Sequence, residues 1–150
     1  MIILIDGRSG AGKTTFAEKL GRDLDMRVLH MDDFYTGWEG LQGGIDAVAG
    51  SLLKAGTHGA WSWDWENNCK GSWIELTNED KYHFILEGVG AASDPIIEQI
   101  SKITGVKYWA LVMVEEDKIR KERALKRDPG YAPFWDLWSQ QEENLKYLQK

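Results

Sequence analysis

Short apolar runs alternate along the chain with longer amphipathic segments. The run at residues 2–5 is continuous and largely β-branched, which predicts a strand buried on both faces of a parallel sheet, and the runs at residues 27–31, 83–87 and 106–114 predict three further strands. The segments between and after them predict helices at residues 13–24, 45–54, 94–103, 115–128 and 134–148. Strands that alternate with helices indicate an α/β fold, with about four core strands joined by right-handed crossovers.

Other stretches carry weaker patterns. Residues 57–71 have no clear period and are interpreted as an ordered excursion on the substrate side of the sheet, whereas residues 73–76 favour a short edge strand. The first helix is expected to bury a stripe of apolar side chains. That stripe consists of Phe16, Ala17, Leu20 and Leu24. Core positions are also expected for His30, His83, Trp109, Trp135 and Trp138.

Composition limits the class of protein. The chain has 150 residues, enough for one domain over residues 1–150, and a formal net charge of −6. This acidic balance argues against nucleic-acid partners and anionic membranes. The single Cys69 excludes an internal disulfide, and neither a signal peptide nor an apolar run long enough to span a membrane is recognisable. A cytoplasmic location is therefore expected.

The strongest motif follows the first strand. Gly7-Arg8-Ser9-Gly10-Ala11-Gly12-Lys13-Thr14 satisfies the pattern G-x-x-x-x-G-K-[ST] of a phosphate-binding loop. Glycines let backbone N–H groups converge on phosphate oxygens, and the positive end of the following helix faces the same anion. In this chemistry Lys13 reaches the β- and γ-phosphates and the Thr14 hydroxyl binds Mg²⁺. The predicted phosphate-binding residues are Gly7, Ser9, Gly10, Ala11, Gly12, Lys13, Thr14 and Thr15.

Later motifs separate the classes of phosphate-loop protein. No guanine-reading N-K-x-D sequence follows a later strand, which argues against a switch GTPase. The third strand ends in Glu87-Gly88 rather than in the aspartate usual for motor ATPases. The second strand ends in Asp32-Asp33-Phe34-Tyr35, which places carboxylates at the sheet edge where ligands bind. Such a carboxylate can take the proton of an acceptor hydroxyl or position Mg²⁺.

Together, these motifs resemble the uridine kinase-like branch of the P-loop small-molecule kinases. The resemblance implies a three-layer P-loop NTPase fold, with ATP as phosphoryl donor and Mg²⁺ as metal. It implies that Asp32 is the general base and contacts Mg²⁺, and that Tyr35 lies beside the acceptor. It also implies that Glu87 supports the Mg²⁺ site, either by contacting the groups that bind the metal or through a metal-bound water. Asp33 stands where the family has serine, so either Asp32 or Asp33 remains a candidate for the base, and Asp33 is otherwise assigned to substrate binding.

A basic helix is predicted near residues 116–128. Arg120, Arg123 and Arg127 are spaced three and four residues apart, so a helix would place them on one face. The spacing resembles the lid of nucleotide kinases, whose guanidinium groups close over the triphosphate. This implies catalytic roles for Arg123 and Arg127, with Arg120 structural. A solvated surface helix is the alternative.

An aromatic segment follows at residues 61–66. If extended, it would place Trp61, Trp63 and Trp65 on one face. Aromatic planes can stack on a nucleobase, and a carboxylate such as Asp64 can hold sugar hydroxyls or a cationic group. The segment is similar to the acceptor pocket of uridine kinase-like proteins, which implies substrate binding by Trp63, Asp64 and Trp65. The alternative is an aromatic mini-core beneath a loop.

The chain departs from the family in two places. Family members usually have a fifth strand after the last helix, so a sheet of four strands and a less enclosed donor base are expected here. Three explanations remain open: a compact variant, a homodimer that completes the open edge, or loss of activity. Asn67, Asn68 and Lys70 stand where a nucleoside kinase would have histidine and arginine, which weakens the case for uridine itself.

The sequence thus predicts an enzyme that transfers the γ-phosphoryl group of ATP to a hydroxyl of a small molecule, most plausibly a nucleoside or nucleoside-like acceptor. A nucleoside monophosphate kinase is the first alternative, although Arg22, Lys54 and Lys70 do not form a convincing clamp for an acceptor phosphate. A nucleotide-binding regulatory protein with little turnover is the second. A kinase for polynucleotide ends is disfavoured by the net charge of −6.

Overall fold

The computed structural model describes residues 1–149. Its strands are β1 (Ile2–Gly7), β2 (Arg27–His30), β3 (Gly59–Asp64), β4 (Cys69–Glu75), β5 (Phe84–Glu87) and β6 (Tyr108–Met113). Its α-helices are α1 (Lys13–Leu24), α2 (Leu41–Ala47), α3 (Asp94–Ser101), α4 (Asp117–Arg127) and α5 (Trp135–Glu143). Short 3₁₀ or π-helical turns lie at Met31–Asp33, Val48–Leu52, Pro129–Phe134 and Lys146–Leu148.

The four predicted core strands form one parallel sheet in the order β2-β5-β1-β6. The expectation of an α/β fold with a four-stranded parallel sheet flanked by helices is therefore confirmed. β1 and β5 occupy the two central positions, and their side chains are almost completely buried. This burial explains why both strands read as continuous apolar runs in the sequence.

Helices cover the two faces of the sheet unequally. Side chains alternate along β1, so Ile2 and Leu4 join a large core on one face, whereas Ile5 joins a smaller core on the other. Helix α1 packs on the smaller side through Ala17, and α2, α3 and α5 pack on the larger. Right-handed crossovers that leave β1 and β5 in opposite directions must lie on opposite faces, which accounts for this arrangement.

All four strands end at the same edge of the sheet because they are parallel. Gly7 ends β1, His30 ends β2 and Glu87 ends β5, so the phosphate-loop motif and the two acidic motifs meet there. After β1 the chain crosses towards β2, and after β5 it crosses towards β6. Ligands of open α/β sheets bind in the crevice that such a change of direction creates.

A separate antiparallel hairpin, β3-β4, forms in the ordered excursion expected at residues 57–71. The short edge strand expected at residues 73–76 overlaps the end of β4, which pairs with β3 and not with the main sheet. The pairing slips between Trp61 and Trp63, where an irregularity breaks the strict alternation of sides. Trp61 and Trp63 lie in β3, whereas Trp65 lies beyond its end, so the three tryptophans meet different surroundings.

The edge strand β6 corrects a second expectation. Trp109 is 69% exposed, not a core residue, because β6 pairs with β1 on one side and its side chains are largely exposed. Unpaired edges with apolar side chains favour association with another strand. The homodimer stays a prediction. His83 is likewise exposed, just before β5 begins, whereas Trp135 and Trp138 are buried as expected.

Helix α1 confirms part of the predicted apolar stripe, since Ala17 is buried and Leu20 packs against the smaller core. Lys13, Ala17 and Gly21 are its buried residues, whereas Phe16 and Leu24 are 40% and 49% exposed. Packing against β2 explains this difference, since a Cβ at Gly21 would lie 2.6 Å from Cγ2 of Val28. The close approach of a strand, invisible in the apolar pattern, decided which side of the helix is buried.

Two other helices begin or end at residues different from those predicted. Helix α2 begins at Leu41, four residues before the helix predicted at residues 45–54, and continues as a π-helical turn. The helix expected at residues 134–148 is confined to α5, with a 3₁₀ turn on either side. Within residues 1–149, no helix combines the length and the apolar character needed to cross a membrane.

Candidate functional site

A cavity of about 520 Å³ opens at the carboxyl edge of the sheet. One end is formed by the phosphate-loop motif and the other by aromatic side chains, with carboxylates between them. The lining residues are Ser9, Gly10, Gly12, Lys13, Thr14, Asp32, Asp33, Tyr35, Trp38, Trp65, Glu87, Gly88, Val89, Arg127, Asp128, Gly130, Tyr131 and Trp138.

The loop between β1 and α1 has the backbone geometry that its glycines allow. Gly10 and Gly12 have φ angles of 83° and 93°, in the left-handed region that favours glycine. A Cβ at Gly10 would also collide with the backbone of Arg120, so α4 packs directly on the loop. Gly12 precedes α1 without any side-chain cap, which leaves the start of the helix open towards an anion.

The predicted phosphate-binding residues do not all reach the cavity. Ser9, Gly10, Gly12, Lys13 and Thr14 line it. The other three do not line it. Gly7 and Ala11 are buried, and Thr15 is exposed on α1.

Lys13 lies inside the loop, with 7% of its surface exposed. Its Nζ donates a hydrogen bond to the Arg8 carbonyl at 2.9 Å. Burial lowers the pKa of Lys13, and the carboxylates of Glu87 and Glu142 act in the opposite direction. A buried ammonium beside backbone N–H groups is suited to hold phosphate oxygens.

Thr14, His30 and Glu87 form a hydrogen-bonded cluster at the ends of β2 and β5. The Thr14 hydroxyl donates to Oε1 of Glu87 at 3.1 Å, and Nδ1 of His30 lies 2.6 Å from the same oxygen. This hydrogen bond raises the pKa of His30. His30 is thus a partner of the site and not the core histidine expected from the sequence.

The oxygen donors of Thr14, Asp32 and Glu87 fit Mg²⁺. All three line the cavity, and a hydroxyl that donates its proton to Glu87 keeps a lone pair for a metal. Within residues 1–149, no group of three or more His, Cys, Asp or Glu side chains is arranged to hold a metal ion. Mg²⁺ is typically bound through one or two carboxylates together with substrate phosphates and water, so these residues suit a metal that arrives with a nucleotide.

The two candidate bases lie side by side on the 3₁₀ turn after β2. Asp32 and Asp33 both face the cavity and keep access to solvent there. Desolvation by the surrounding protein raises the pKa of Asp32. The neighbouring Glu87 carboxylate raises it further, whereas Lys13 lowers it. Desolvation also raises the pKa of Asp33. A carboxylate with a raised pKa is a better proton acceptor than an ordinary one.

The far end of the cavity is an aromatic wall formed by Tyr35, Trp38, Trp65, Tyr131 and Trp138. Trp65, at the tip of the hairpin, donates from Nε1 to the Asp32 carbonyl at 3.0 Å. The Tyr35 hydroxyl donates to the Val89 carbonyl at 2.7 Å, and Gln141 holds the Trp38 carbonyl at 2.6 Å. Loop, hairpin and C-terminal helix all contribute to this wall.

The structure separates the three residues of the aromatic segment that were expected to bind the acceptor. Trp65 lines the cavity, whereas Trp63 and Asp64 do not. The Asp64 carboxylate accepts hydrogen bonds from the backbone N–H groups of Glu66 and Asn67, so it stabilises the hairpin turn. Trp63 lies near Gly37, with a buried Nε1 that has no partner among the described residues.

The three arginines of α4 also have different surroundings. Arg127 lines the cavity. Arg123 is half-exposed and pairs with Glu115 at 3.4 Å, away from the lining. Arg120 is buried, donates to the Ser9 carbonyl at 3.0 Å and lies over the Trp135 ring, which agrees with the structural role expected for it.

Glu142 was not found by sequence reasoning. Its buried carboxylate accepts a hydrogen bond of 2.6 Å from the Ser9 backbone N–H and lies 3.4 Å from Nε of Arg8. Desolvation raises the pKa of Glu142, while these partners and Lys13 lower it. A glutamate in a polar C-terminal helix has no local signal for this contact, because 133 residues separate it from Ser9.

Asp6 connects the end of β1 with the loop after β5 and with the C-terminal segment. Its fully buried carboxylate accepts from the backbone N–H groups of Gly7, Gly90 and Ala92 at 2.7–3.1 Å. The Tyr147 hydroxyl donates to it at 2.6 Å. Burial raises the pKa of Asp6, and the four donors lower it. The carboxylate therefore fixes the chain segments around the phosphate loop.

Replacing Asp6 by alanine should lower the free energy of unfolding by about 3–5 kcal/mol, since it leaves three buried N–H groups and a phenol without their acceptor. Tyr147→Phe removes one donor and should cost only about 1 kcal/mol. Urea unfolding followed by circular dichroism measures both, with the exposed Asp46→Ala as control. An Asp6→Ala protein as stable as the control would contradict this account.

Comparison with known proteins assigns no family to the chain. No model of a known protein family matches it, and no curated protein matches it. A function therefore has to be argued from the geometry of the cavity.

Proposed function

We propose that the protein is a P-loop kinase that transfers the γ-phosphoryl group of ATP to a hydroxyl of a small molecule. The observation that carries the proposal is the convergence of Lys13, Thr14, Asp32 and Glu87 on one cavity. These residues come from three separate segments of the chain. They supply a phosphate-binding cation, metal-binding oxygens and a proton acceptor at adjoining positions, which is the set that phosphoryl transfer requires.

The phosphate-loop end of the cavity supports binding of the donor. The loop backbone and the start of α1 suit the β- and γ-phosphates, Lys13 adds a positive charge within the loop, and Arg127 adds another at the end of α4. Thr14, Asp32 and Glu87 would hold the Mg²⁺. Bound there, the metal supplies neutralisation of the charge on the phosphates.

The proposed step forms one bond and breaks another. Asp32 accepts the proton of the acceptor hydroxyl as its oxygen forms a bond to the γ-phosphorus. The bond between that phosphorus and the bridging oxygen breaks, and ADP leaves with its electron pair. The products are ADP, a phosphate monoester and the proton on Asp32. Lys13 and Arg127 stabilise negative charge during the transfer.

The lining favours an acceptor without a phosphate group of its own. Within the described part of the chain, the cationic residues that line the cavity are Lys13 and Arg127. Lys13 lies at the phosphate-loop motif, and Arg127 lies at the end of α4. Arg22, Lys54 and Lys70 line none of it, and Lys70 lies over the Trp61 ring at 5.0 Å. A nucleoside monophosphate would lack a partner for its phosphate, which disfavours the monophosphate kinase alternative.

Acceptor-dependent release of ADP tests the proposal. The protein is incubated with ATP and Mg²⁺ and with separate pools of nucleosides, nucleoside monophosphates, sugars and amino alcohols. We expect one pool of unphosphorylated alcohols to stimulate ADP release, with stoichiometric phosphate monoester in ³¹P NMR. ATP binding without stimulation by any pool would contradict the kinase proposal and favour a nucleotide-binding regulatory protein.

A further inference from the structure

The aromatic wall indicates the chemical class of the acceptor, an inference that rests on the proposed function. Its five rings face one another at steep angles. Trp38 meets Trp65 at 63° and Trp138 at 87°, and Tyr35 meets Trp138 at 64°, with centroids 4.7–6.3 Å apart. Three of these contacts are therefore edge to face, Trp38 and Tyr131 are tilted at 43°, and the five rings together form one corner of the cavity.

The ring pairs of the aromatic wall that touch one another are not parallel stacks. Their planes meet at 43–87°. The near-parallel partner of Trp38 is Phe134, at 6° and 4.7 Å, so the pair is already stacked without a gap. A corner of ring faces instead suits a compact cation, because several aromatic faces can then surround one positive charge.

The charges of the cavity favour the same kind of ligand. Four carboxylates line it against the two cations Lys13 and Arg127. Asp32 and Glu87 would hold the metal, and the Asp128 carboxylate accepts a hydrogen bond from the Gly130 backbone N–H at 3.1 Å, which leaves Asp33. In the proposed reaction, both cations bind the phosphates of the donor. Asp33 has no part in the proposed proton transfer, so its carboxylate remains available beside the aromatic wall.

A polar group of the wall also lacks a partner. Tyr131 is 6% exposed and lines the cavity. The Ser9 side chain lies near its hydroxyl, but the hydroxyl makes no hydrogen bond of normal geometry within the described residues. A buried hydroxyl without a partner is costly, which indicates that a ligand completes it. A small alcohol could do so through its oxygen without any need for a base or a sugar ring.

We infer that the acceptor is an alcohol that carries a positively charged ammonium group close to its hydroxyl. The ammonium lies in the corner of the aromatic wall and faces the Asp33 carboxylate, while the hydroxyl points towards Asp32. The hydroxyl proton passes to Asp32, the oxygen takes the γ-phosphoryl group, and ADP leaves with the electrons of the broken bond. The ammonium keeps its charge throughout.

A pair of ligands of equal shape tests the inference. Choline and its uncharged carbon isostere 3,3-dimethylbutan-1-ol are titrated calorimetrically into the full chain with Mg²⁺ and a non-hydrolysable ATP analogue, at matched chloride concentration. Choline should bind at least about 10-fold more tightly, because ring faces attract a desolvated cation. Equal affinities would overturn the inference.

Variants of the hairpin tryptophans test the contribution of the aromatic wall to binding. Trp65→Leu should weaken choline binding about 5- to 30-fold and leave the isostere almost unchanged, and Trp65→Phe should restore part of the affinity. The matched control is Trp61→Leu in the same hairpin, since Trp61 is 49% exposed and lies outside the cavity lining. An equal effect of Trp65→Leu on both ligands would contradict a cation site.

The ADP assay separates this inference from the proposed function. Stimulation by choline or ethanolamine, lost in Trp65→Leu and kept in Trp61→Leu, supports both. Stimulation by neutral nucleosides or sugars alone keeps the kinase and overturns the cationic acceptor. Tight choline binding without ADP formation from any acceptor keeps the cation site and overturns the kinase.

Discussion

Lys13→Ala should reduce acceptor-dependent ADP formation by about 10³-fold or more. The substitution removes a positive charge from the inside of the phosphate loop, where only 7% of the side chain is exposed. A charge held in such a place stabilises the transferring group far more than one in water, because little solvent screens it. Initial rates at saturating acceptor, with ATP varied, measure the loss in kcat and kcat/KM.

Two controls belong to this experiment. Lys19→Ala lies on the exposed side of the same helix, where Lys19 pairs with Asp23, and should retain full activity. Thermal unfolding of Lys13→Ala establishes that the variant is folded, since Nζ also holds the Arg8 carbonyl at 2.9 Å. A folded Lys13→Ala protein that turns over at the wild-type rate would rule out phosphoryl transfer at this loop.

Asp32→Asn should lower kcat by about 10²- to 10⁴-fold with little change in the KM for the acceptor. The amide keeps the shape of the side chain, but it cannot accept the hydroxyl proton, and it is a weaker ligand for a divalent metal. Raising Mg²⁺ over a wide range separates the two causes, because a metal defect is partly restored at high Mg²⁺ and a missing base is not.

Asp33→Asn is the matched variant. The two aspartates share the 3₁₀ turn and the same cavity, so the comparison decides which one accepts the proton. We expect Asp33→Asn to keep kcat within about tenfold and to raise the KM for a cationic acceptor. The reverse result, with the larger loss of kcat in Asp33→Asn, would transfer the role of base to Asp33.

Local sequence determined the framework. Short apolar runs identified the four strands of the parallel sheet, and the spacing of Gly7, Gly12, Lys13 and Thr14 identified the loop between β1 and α1. Both signals are local, since a strand buried on two faces must be apolar throughout and a phosphate loop must have glycines at fixed positions. The sequence also brought Asp32 and Glu87 to one edge, because parallel strands all end there.

Contacts between distant segments were beyond local reasoning. The pattern of α4 predicts one arginine face, yet Arg120 holds the Ser9 carbonyl, Arg123 pairs with Glu115, and Arg127 alone of the three lines the cavity. Their directions depend on how α4 packs on Gly10. Likewise, Trp65 lies in the turn of the hairpin, beyond the end of β3, and lines the cavity, whereas Trp63 within β3 does not.

By itself, the sequence determined the order of the elements, the phosphate-loop motif and the edge at which its acidic partners lie. The tertiary structure decided the other half of the cavity. It combined Trp38 from a loop, Trp65 from a hairpin and Tyr131 from a 3₁₀ turn into the aromatic wall, and it set Glu142 against Ser9. The physical reason is that Trp38, Trp65 and Tyr131 lie in segments without a regular hydrophobic period, and that Glu142, although it is helical, contacts a residue 133 positions away, so none of these contacts has a local signal.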